Sequence, residues 1–326
     1  MTQIVVGLDT SCYTTSCAAV TVDGRVIASC RKLLPVAAGE RGLRQSEAVF
    51  AHVRQLPERM EELGRATQGM EIVAVCASVR PRDDCDSYMP VFQVGDAQSR
   101  ALAAMLGVPC FASTHQRGHI AAAAVDSGIR PGDLLAVHLS GGTTELLCLQ
   151  GEQLTLLGGT LDLHAGQVVD RTGVALGLPF PSGPYLEACA QGQRPKALLP
   201  VSMAENDLSC HFSGAESQLQ RWIAAQSIPR EQIAIEVYDL IARTLSRMIC
   251  AGAEKTGVSQ VLIAGGVSSS ALLRQMLRDR ISKRNRRIHV CFGKPEYSGD
   301  NAVGTALLGA RAWQKLECSQ SSHEME

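Results

Sequence analysis

The sequence predicts a two-lobed α/β protein whose halves are related by duplication, and three observations carry that expectation. First, Leu134 to Leu149, LLAVHLSGGTTELLCL, is an apolar run that meets Ser140-Gly141-Gly142-Thr143-Thr144 and then turns apolar again. Length and period make it a buried strand, a tight turn and a second strand, since adjacent glycines let the backbone turn with no Cβ in the way. Second, Ile4 to Val22, IVVGLDTSCYTTSCAAVTV, has the same layout, with Asp9-Thr10-Ser11 ending its first run and Asp23-Gly24 closing the second. Gln150-Gly151 answers Asp23-Gly24, and Leu154 to Leu157 answers Val26 to Ser29 as a third short strand. Similarity at this separation marks related lobes that each open with a strand meander. Third, 326 residues are enough for one large or two medium cores. Two such lobes would face one another across a nucleotide cleft.

In chain order, the Gly-, Arg- and Ala-rich stretch Pro35 to Glu47 gives way to a helical pattern over Ala48 to Gly64. Glu71 to Ser78 reads as a short buried strand, and the charged, aperiodic Arg80-Pro81-Arg82-Asp83-Asp84-Cys85-Asp86 as a loop at its carboxyl end. A small-residue helix spans Val94 to Leu106 and stops at Gly107 and Pro109; Val108 to Ala112 is a strand, and Thr114 sits where an N-cap would precede His115. The second meander, beginning near Pro131, is followed by a helix over Asp162 to Leu176 and a turn-rich loop, Leu178 to Pro184. The longest helix is Glu231 to Thr256, with Ile233, Val237, Leu240, Ile241, Leu245, Met248 and Ile249 on one apolar stripe. Val261 to Ala264 is a strand ending in Gly265-Gly266-Val267, and Ser268 to Ser270 open the next helix. Ile288 to Phe292 is the last strand, Asn301 to Lys315 the last helix, and the polar tail from Ser319 is expected to be disordered.

With 31 basic and 32 acidic residues the chain has no global field, so a nucleic acid would have to be met by a local patch. Arg278, Arg280, Lys283, Arg284, Arg286 and Arg287 form its dense basic run, which is either a solvated helix end, with cations suited to the dipole, or a phosphodiester contact. No signal peptide and no apolar stretch of about eighteen residues is visible. The expectation is a cytoplasmic protein with no membrane contact. Twelve cysteines, scattered through apolar segments (Cys76, Cys110, Cys148, Cys250, Cys291) without a CxxC pair, read as reduced, buried thiols. Cys12, in the first hydroxyl-rich turn, reads as either a packing residue or a reactive thiol.

Chemistry is suggested first by His115 and His119, which open an alanine-rich helix. Imidazoles at i and i+4 lie one above the other on one face, close enough to share a metal ion, although unrelated surface histidines can have the same spacing. Asp300, at the start of the last helix, is a candidate third ligand or an N-cap. Two imidazoles and a carboxylate suit zinc or ferrous iron with positions left open for substrate. The zinc-protease HExxH mechanism is disfavoured, because Gln116 occupies the place of its general base. Gly141-Gly142 and Gly265-Gly266, each after a buried strand, are natural cradles for a nucleotide, whereas a lone SGGTT is equally a plain hairpin turn.

A longer ordered set of motifs runs through the chain: Gly7-Leu8-Asp9-Thr10-Ser11-Cys12, His115 with His119, Leu139-Ser140-Gly141-Gly142, Asp162 with Ala165-Gly166 and Asp170, Gly177-Leu178-Pro179 with Pro181 and Gly183-Pro184, Phe212-Ser213-Gly214, Ala264-Gly265-Gly266-Val267, and Asp300-Asn301. Over nearly its whole length the chain resembles the TsaD family of tRNA threonylcarbamoyladenosine synthases, once labelled glycoproteases. That resemblance implies an actin-like ATPase (duplicated ribonuclease-H-like) fold. Residues 1–128 would form the first lobe, completed by a helix at 300–317; 129–299 would form the second, and 318–326 a tail. It implies one divalent metal, iron or zinc, on His115, His119 and Asp300. An adenylate or ATP-type nucleotide would lie on Leu139, Ser140, Gly141, Gly142, Asp170 and Gly183, with Gly265, Gly266 and Ser270 beside it and Asp9 and Ser11 as catalytic candidates. The implied activity is transfer of a threonylcarbamoyl group from its adenylate to the exocyclic amine of an adenosine beside the anticodon. The implied partners are tRNA and either TsaB-like and TsaE-like subunits or a second copy of the chain.

Departures from the family pattern mark a divergent paralogue. ETSCDE reads Asp9-Thr10-Ser11-Cys12-Tyr13-Thr14, and the GPG loop reads Arg80-Pro81-Arg82. SGGHT has Thr143 in place of its histidine, AGE has Gln167 in place of its glutamate, and the asparagine expected after AGGV is Ser270. Intact His115, His119 and Asp300 point to chemistry. The changed neighbours keep two alternatives open, a non-catalytic binding paralogue and a carbamoyltransferase or ATPase acting on another substrate.

Overall fold

The first apolar run forms β1 (Gln3–Ser11), which pairs antiparallel with β2 (Thr14–Thr21), itself antiparallel to β3 (Val26–Leu33). After α1 (Gln45–Ala66), β4 (Glu71–Arg80) joins β1 in parallel. Next come α2 (Phe92–Leu106), β5 (Cys110–Thr114), parallel to β4, and α3 (His115–Ala124). The computed structural model describes residues 1–11, 13–35, 43–84, 86–204 and 207–323, so the reactive-thiol reading of Cys12 lies outside the described residues. The resulting sheet has the order β3-β2-β1-β4-β5. Ile4, Val6 and Leu8 of β1 pack with Leu56 and Leu63 of α1 and Val94 and Ala103 of α2. Both faces of β1 and β2 are covered, so they read as unbroken apolar runs instead of alternating ones.

The meander recurs as β6 (Leu134–Leu139), β7 (Thr144–Gln150) and β8 (Gln153–Gly159). There follow α4 (Ala165–Ala175), α5 (Gly183–Ala190), the short pair β9 (Ser202–Met203) and β10 (Cys210–His211), α6 (Ser213–Ala224) and α7 (Arg230–Thr256). Then β11 (Gln260–Ala264), α8 (Ala271–Arg284) and β12 (His289–Phe292) complete a sheet of order β12-β11-β6-β7-β8, in which β11 runs parallel to both neighbours. This order repeats that of the first sheet strand for strand. The apolar stripe of α7 is buried, and so are carboxylates on the same helix. Glu236 accepts from the Lys196 and Leu198 amides, and Asp239 pairs with Arg243 and Arg280, as burial of charge requires.

Finally α9 (Val303–His323) returns to the first sheet. The chain divides into two units, Met1–Ala122 with Gly299–Glu326, and Ala123–Ser298. The divisions fall at 122/123 and 298/299, against the expected 128/129 and 299/300. A Cβ on Gly7 would overlap the α9 backbone at Ala306, and one on Gly309 would meet Cys76 at 2.6 Å, so small residues set how closely α9 lies on β1 and β4. One step further, a Cβ on Gly304 would overlap the Gly118 carbonyl oxygen, so α3 and α9 touch backbone to backbone.

Several boundaries move for identifiable reasons. Gly107, in the left-handed region at φ 68°, ends α2, and the Val108 amide bonds back to Ala103; the next strand therefore starts at Cys110, two residues later than expected. Cys110, at the start of an edge strand, is exposed, not buried. Asp162 lies ahead of α4, where its carboxylate accepts from the Phe212 and Ser213 amides and caps α6 instead of opening its own helix. Asp300 is not the cap of α9, because the Asn301 side chain accepts from the Val303 amide. The tail expected to be disordered from Ser319 is helical to His323, since no Gly or Pro follows Gly309 to stop the helix. No helix of the described residues is long and apolar enough to cross a membrane.

Replacing Gly304 by Ala should force α9 away from α3 and lower the urea midpoint by an overpacking cost of about 1–3 kcal/mol. Gly214→Ala, at a helical position with open space around it, should stay within about 0.5 kcal/mol of wild type. Equal midpoints for the two variants would refute the close-approach account.

Candidate functional site

The strand ends of the first unit carry a convergence of ionisable side chains. His115 follows β5 directly, and the Thr114 hydroxyl accepts from the Arg117 amide as the expected cap of α3. His119 lies one turn on, and the close crossing of α3 and α9 places Asp300 beside both. The two histidine Nε2 atoms are 2.9 Å apart; Asp300 Oδ1 is 3.2 Å from that of His119 and 3.6 Å from that of His115. Asp9, at the end of β1 and 1% exposed, accepts from His115 Nδ1 at 2.8 Å, which fixes the tautomer and leaves Nε2 facing His119 and Asp300. Its other oxygen accepts from the Ser11 amide. Asp9 is thus engaged as an orienting partner of His115, and the Ser11 hydroxyl is buried with no hydrogen-bond partner among the described residues.

Two imidazole nitrogens facing each other at this distance need a proton or a cation between them. Metal bonds of about 2.0–2.1 Å put neighbouring ligand atoms roughly 3.0–3.4 Å apart, close to the observed spacing, so the three side chains fit one small divalent ion. The electrostatics point the same way. Burial opposes charge on His115, but the Asp9 charge and the bonds to Asp300 and Asp9 lift its pKa well above 6.5. Against burial, hydrogen bonds from His115 and His119 hold Asp300 well below the ordinary carboxylate range, and His115 likewise lowers Asp9.

The loop where the family has GPG is tied to the histidine helix. The Pro81 carbonyl accepts from the Gln116 amide, and Asp83 accepts from the Thr114 hydroxyl at 2.9 Å and from Arg117 Nε at 2.8 and 2.9 Å. Sequence reasoning passed over this clip and the Gly118–Gly304 contact. An aperiodic charged loop and isolated glycines carry no signal of which distant segment they will meet.

In the second unit, Ser140 N donates to the Thr143 carbonyl and closes the SGG turn, and Gly142 N donates to the Ser140 hydroxyl. A Cβ on Gly166 would crowd the Ser140 carbonyl at 2.6 Å, and one on Gly265, at φ 100°, would overlap the Leu139 carbonyl. Thr144 accepts from the Ala165 amide in the first turn of α4. Leu139 to Gly142, the start of α4 and Gly265 therefore meet. Gly141, Gly142 and Gly266 have open space where a Cβ would stand. Asp170 accepts from the Ser182 amide and holds the turn before α5, and the Gly183 carbonyl accepts from Tyr238. Ser270 caps α8 through the Leu273 amide, while Glu187, which the sequence did not single out, accepts from that of Leu272. Gln167 accepts from the His164 amide, so the amide replacing the family's glutamate keeps a capping bond.

A family model described as TsaD, tRNA N6-adenosine threonylcarbamoyltransferase, matches residues 88–307. Over 238 residues the chain is 30% identical to the tRNA N6-adenosine threonylcarbamoyltransferase of Methylobacillus flagellatus, covering 71% of this chain and 69% of that one. Over 324 residues it is 28% identical to the protein of that name from Bifidobacterium adolescentis, covering 94% and 91%. Among solved structures, full-length HypF in a phosphate- and nucleotide-bound form is similar with a TM-score of 0.62 at 12% identity, over 95% of this chain and 46% of HypF. A ROK family glucokinase from Streptomyces griseus gives 0.54 at 13% identity, over 94% and 99%. These likenesses show the fold, the two-lobed actin-like ATPase type.

In metal-free protein, the stability that His115 gains from its carboxylates is fully present below pH 6.5 and is lost as pH rises through its raised pKa. Asp9→Asn should lower the His115 pKa followed by NMR and flatten the fall in stability above pH 6.5. An unchanged His115 titration would show that Asp9 does not set the charge of that ring.

Proposed function

Because this chain belongs to the TsaD family of tRNA N6-adenosine threonylcarbamoyltransferases, we propose that it moves a threonylcarbamoyl group from threonylcarbamoyl-AMP to the exocyclic amine of an adenosine beside a tRNA anticodon. The observation that carries this reading is the convergence of His115, His119 and Asp300 within 3.6 Å of one another, with Asp9 behind His115. These three side chains would hold one divalent metal, iron or zinc. When bound, it would supply Lewis-acid polarisation of the carbamoyl oxygen and a template for the substrate. Asp9 accepts from His115 Nδ1 and so holds the ring in register with its Nε2 turned toward the site, where a bound metal would take the place of the Nε2 proton, and Ser11 steadies Asp9 through its amide.

The adenylate would lie on the second unit's turns, with Gly141, Gly142 and Gly266 letting its phosphate approach the backbone and Asp170, Gly183 and Ser270 beside it. The Asp170 oxygen that accepts from Ser182 fixes the loop leading to Gly183, so this carboxylate positions part of the proposed pocket as well as lining it. TsaB-like and TsaE-like subunits, or a second copy of this chain, would be its partners, and the cytoplasm its location.

A second reading, a carbamoyltransferase or ATPase acting on another substrate, is favoured by one observation: Pro81 and Asp83 tie an arginine-flanked loop to α3 where the family has GPG. Incubation of the purified chain and its partners with threonylcarbamoyl-AMP and a tRNA transcript, followed by mass spectrometry of nucleosides, separates the two. Modified adenosine supports the transferase, and nucleotide turnover without tRNA supports the alternative. Unchanged threonylcarbamoyladenosine after loss of the gene, in a cell with no second family member, would sink the transferase.

Metal bound to the native state adds to its stability. A chelator should therefore lower the melting temperature of wild type and have little further effect on His119→Ala, which should also lose at least about 100-fold in transfer rate. Metal affinity should rise with pH, because His115 must give up its raised proton to bind. Equal chelator responses, or no metal in the purified wild type, would return both histidines to ordinary surface residues.

A further inference from the structure

The basic run of α8 and the turn after it divides into two classes of side chain. Arg280 pairs with the buried Asp239, whose other oxygen accepts from Arg243, so its charge is neutralised inside the unit. Arg278 lies over the Phe292 ring at 4.9 Å, on the same ring that Arg274 covers at 5.1 Å. These contacts fasten α8 to its neighbours. Lys283, Arg284, Arg286 and Arg287 differ: all four are exposed, and among the described residues none has an acidic partner. Asp279, one turn before Lys283, accepts from Gln275 instead.

A helix dipole accounts for Lys283 and Arg284, which lie in the last turn of α8. It does not account for Arg286 and Arg287, which lie beyond the helix. They are held in a turn where the Asn285 side chain accepts from the Arg287 amide at 3.0 Å and its carbonyl from Ile288 at 3.3 Å. Buried Ile281 and Ile288 pin the chain on either side. Four cations are thus presented together from an ordered backbone, in a chain whose formal net charge is −1. They precede β12, whose first residue pairs with the first residue of β11, and so lie at the opposite end of that sheet from Gly265.

We infer that Lys283, Arg284, Arg286 and Arg287 form a docking surface for the phosphodiester backbone of the RNA substrate, outside the proposed nucleotide turns. The inference rests on the tRNA reading above and adds to it where on the second unit the RNA is gripped. Phosphate is the matching chemistry, because guanidinium groups meet its oxygens in pairs and an unpaired cluster of cations releases counterions when it meets a polyanion. A surface at the far end of the sheet contributes to affinity and leaves the chemical step alone.

The test uses the full chain and a fluorescent, unmodified tRNA transcript, with anisotropy measured from about 50 to 200 mM salt. The variant Lys283→Gln/Arg284→Gln/Arg286→Gln/Arg287→Gln should bind with a log–log salt slope shallower by about three, and at least about tenfold more weakly near 0.1 M salt. Its melting temperature should match wild type. Replacing the three arginines by lysine should retain most of the slope, because counterion release depends on charge. In the transfer assay the glutamine variant should raise the KM for tRNA and leave kcat unchanged at saturation. Equal affinity and slope for wild type and the glutamine variant would overturn the docking surface alone, and the patch would then fit an acidic protein surface. Absence of RNA binding by wild type would overturn it together with the tRNA reading.

Discussion

The first unit depends on one distance, that between the backbones of α3 and α9. Gly118 and Gly304 let the two helices meet with no side chain between them, while Gly7 and Gly309 seat α9 on β1 and β4. Ser78 and Thr305 add a hydroxyl pair at 2.9 Å across the same packing. The site follows from that contact, because Asp300 reaches His115 and His119 only if the chain just before α9 comes down beside α3. Asp9 comes from the opposite direction, along a strand buried on both faces, and meets His115 from behind. Four side chains from three distant segments are thus oriented by packing, and burial strengthens each polar contact between them.

The duplicated sheets put the same ending to different uses. In the first unit the end of β1 supplies Asp9 and Ser11 inside the core, and Thr10 is spent on α2, donating to the Val91 carbonyl and accepting from the Gly95 amide. The equivalent turn in the second unit is glycine-rich with Gly141 and Gly142 exposed, and its Ser140 and Thr144 hydroxyls are spent on the turn itself and on α4. One unit carries ionisable groups and the other carries backbone amides.

Much of this was legible in the sequence. The paired meanders, the long α7 and the strands of both sheets follow from apolar runs and their breakers, and their shared layout gave the duplication. His115 and His119 announce a shared helical face by spacing alone. Illegible were the contacts that depend on where distant segments land. Gly304 looks like any helix glycine until Gly118 is opposite it, and Asp83 looks like loop charge until Arg117 and Thr114 are beside it. Asp300 read as either a third ligand or an N-cap, because a lone sequence offers the nearest helix as a partner beside the distant histidines, and Asn301 takes the capping role instead. The basic run was visible as charge, but the pairing of Arg280 with Asp239 could not be read from residues 41 positions apart.

The discontinuity of the first unit bears on how the protein is made. β1 to α3 emerge from the ribosome first, yet the α9 face of their sheet stays uncovered until the following 176 residues, Ala123–Ser298, have been synthesised. The second unit is contiguous and holds its own apolar core, so it is equipped to fold while the first waits. Closing so long a loop costs conformational entropy that only the completed packing of α9 returns. Asp300 is thus the last of the four site residues to be synthesised, and a chain stalled before Gly299 would carry the imidazoles without the carboxylate that completes the set.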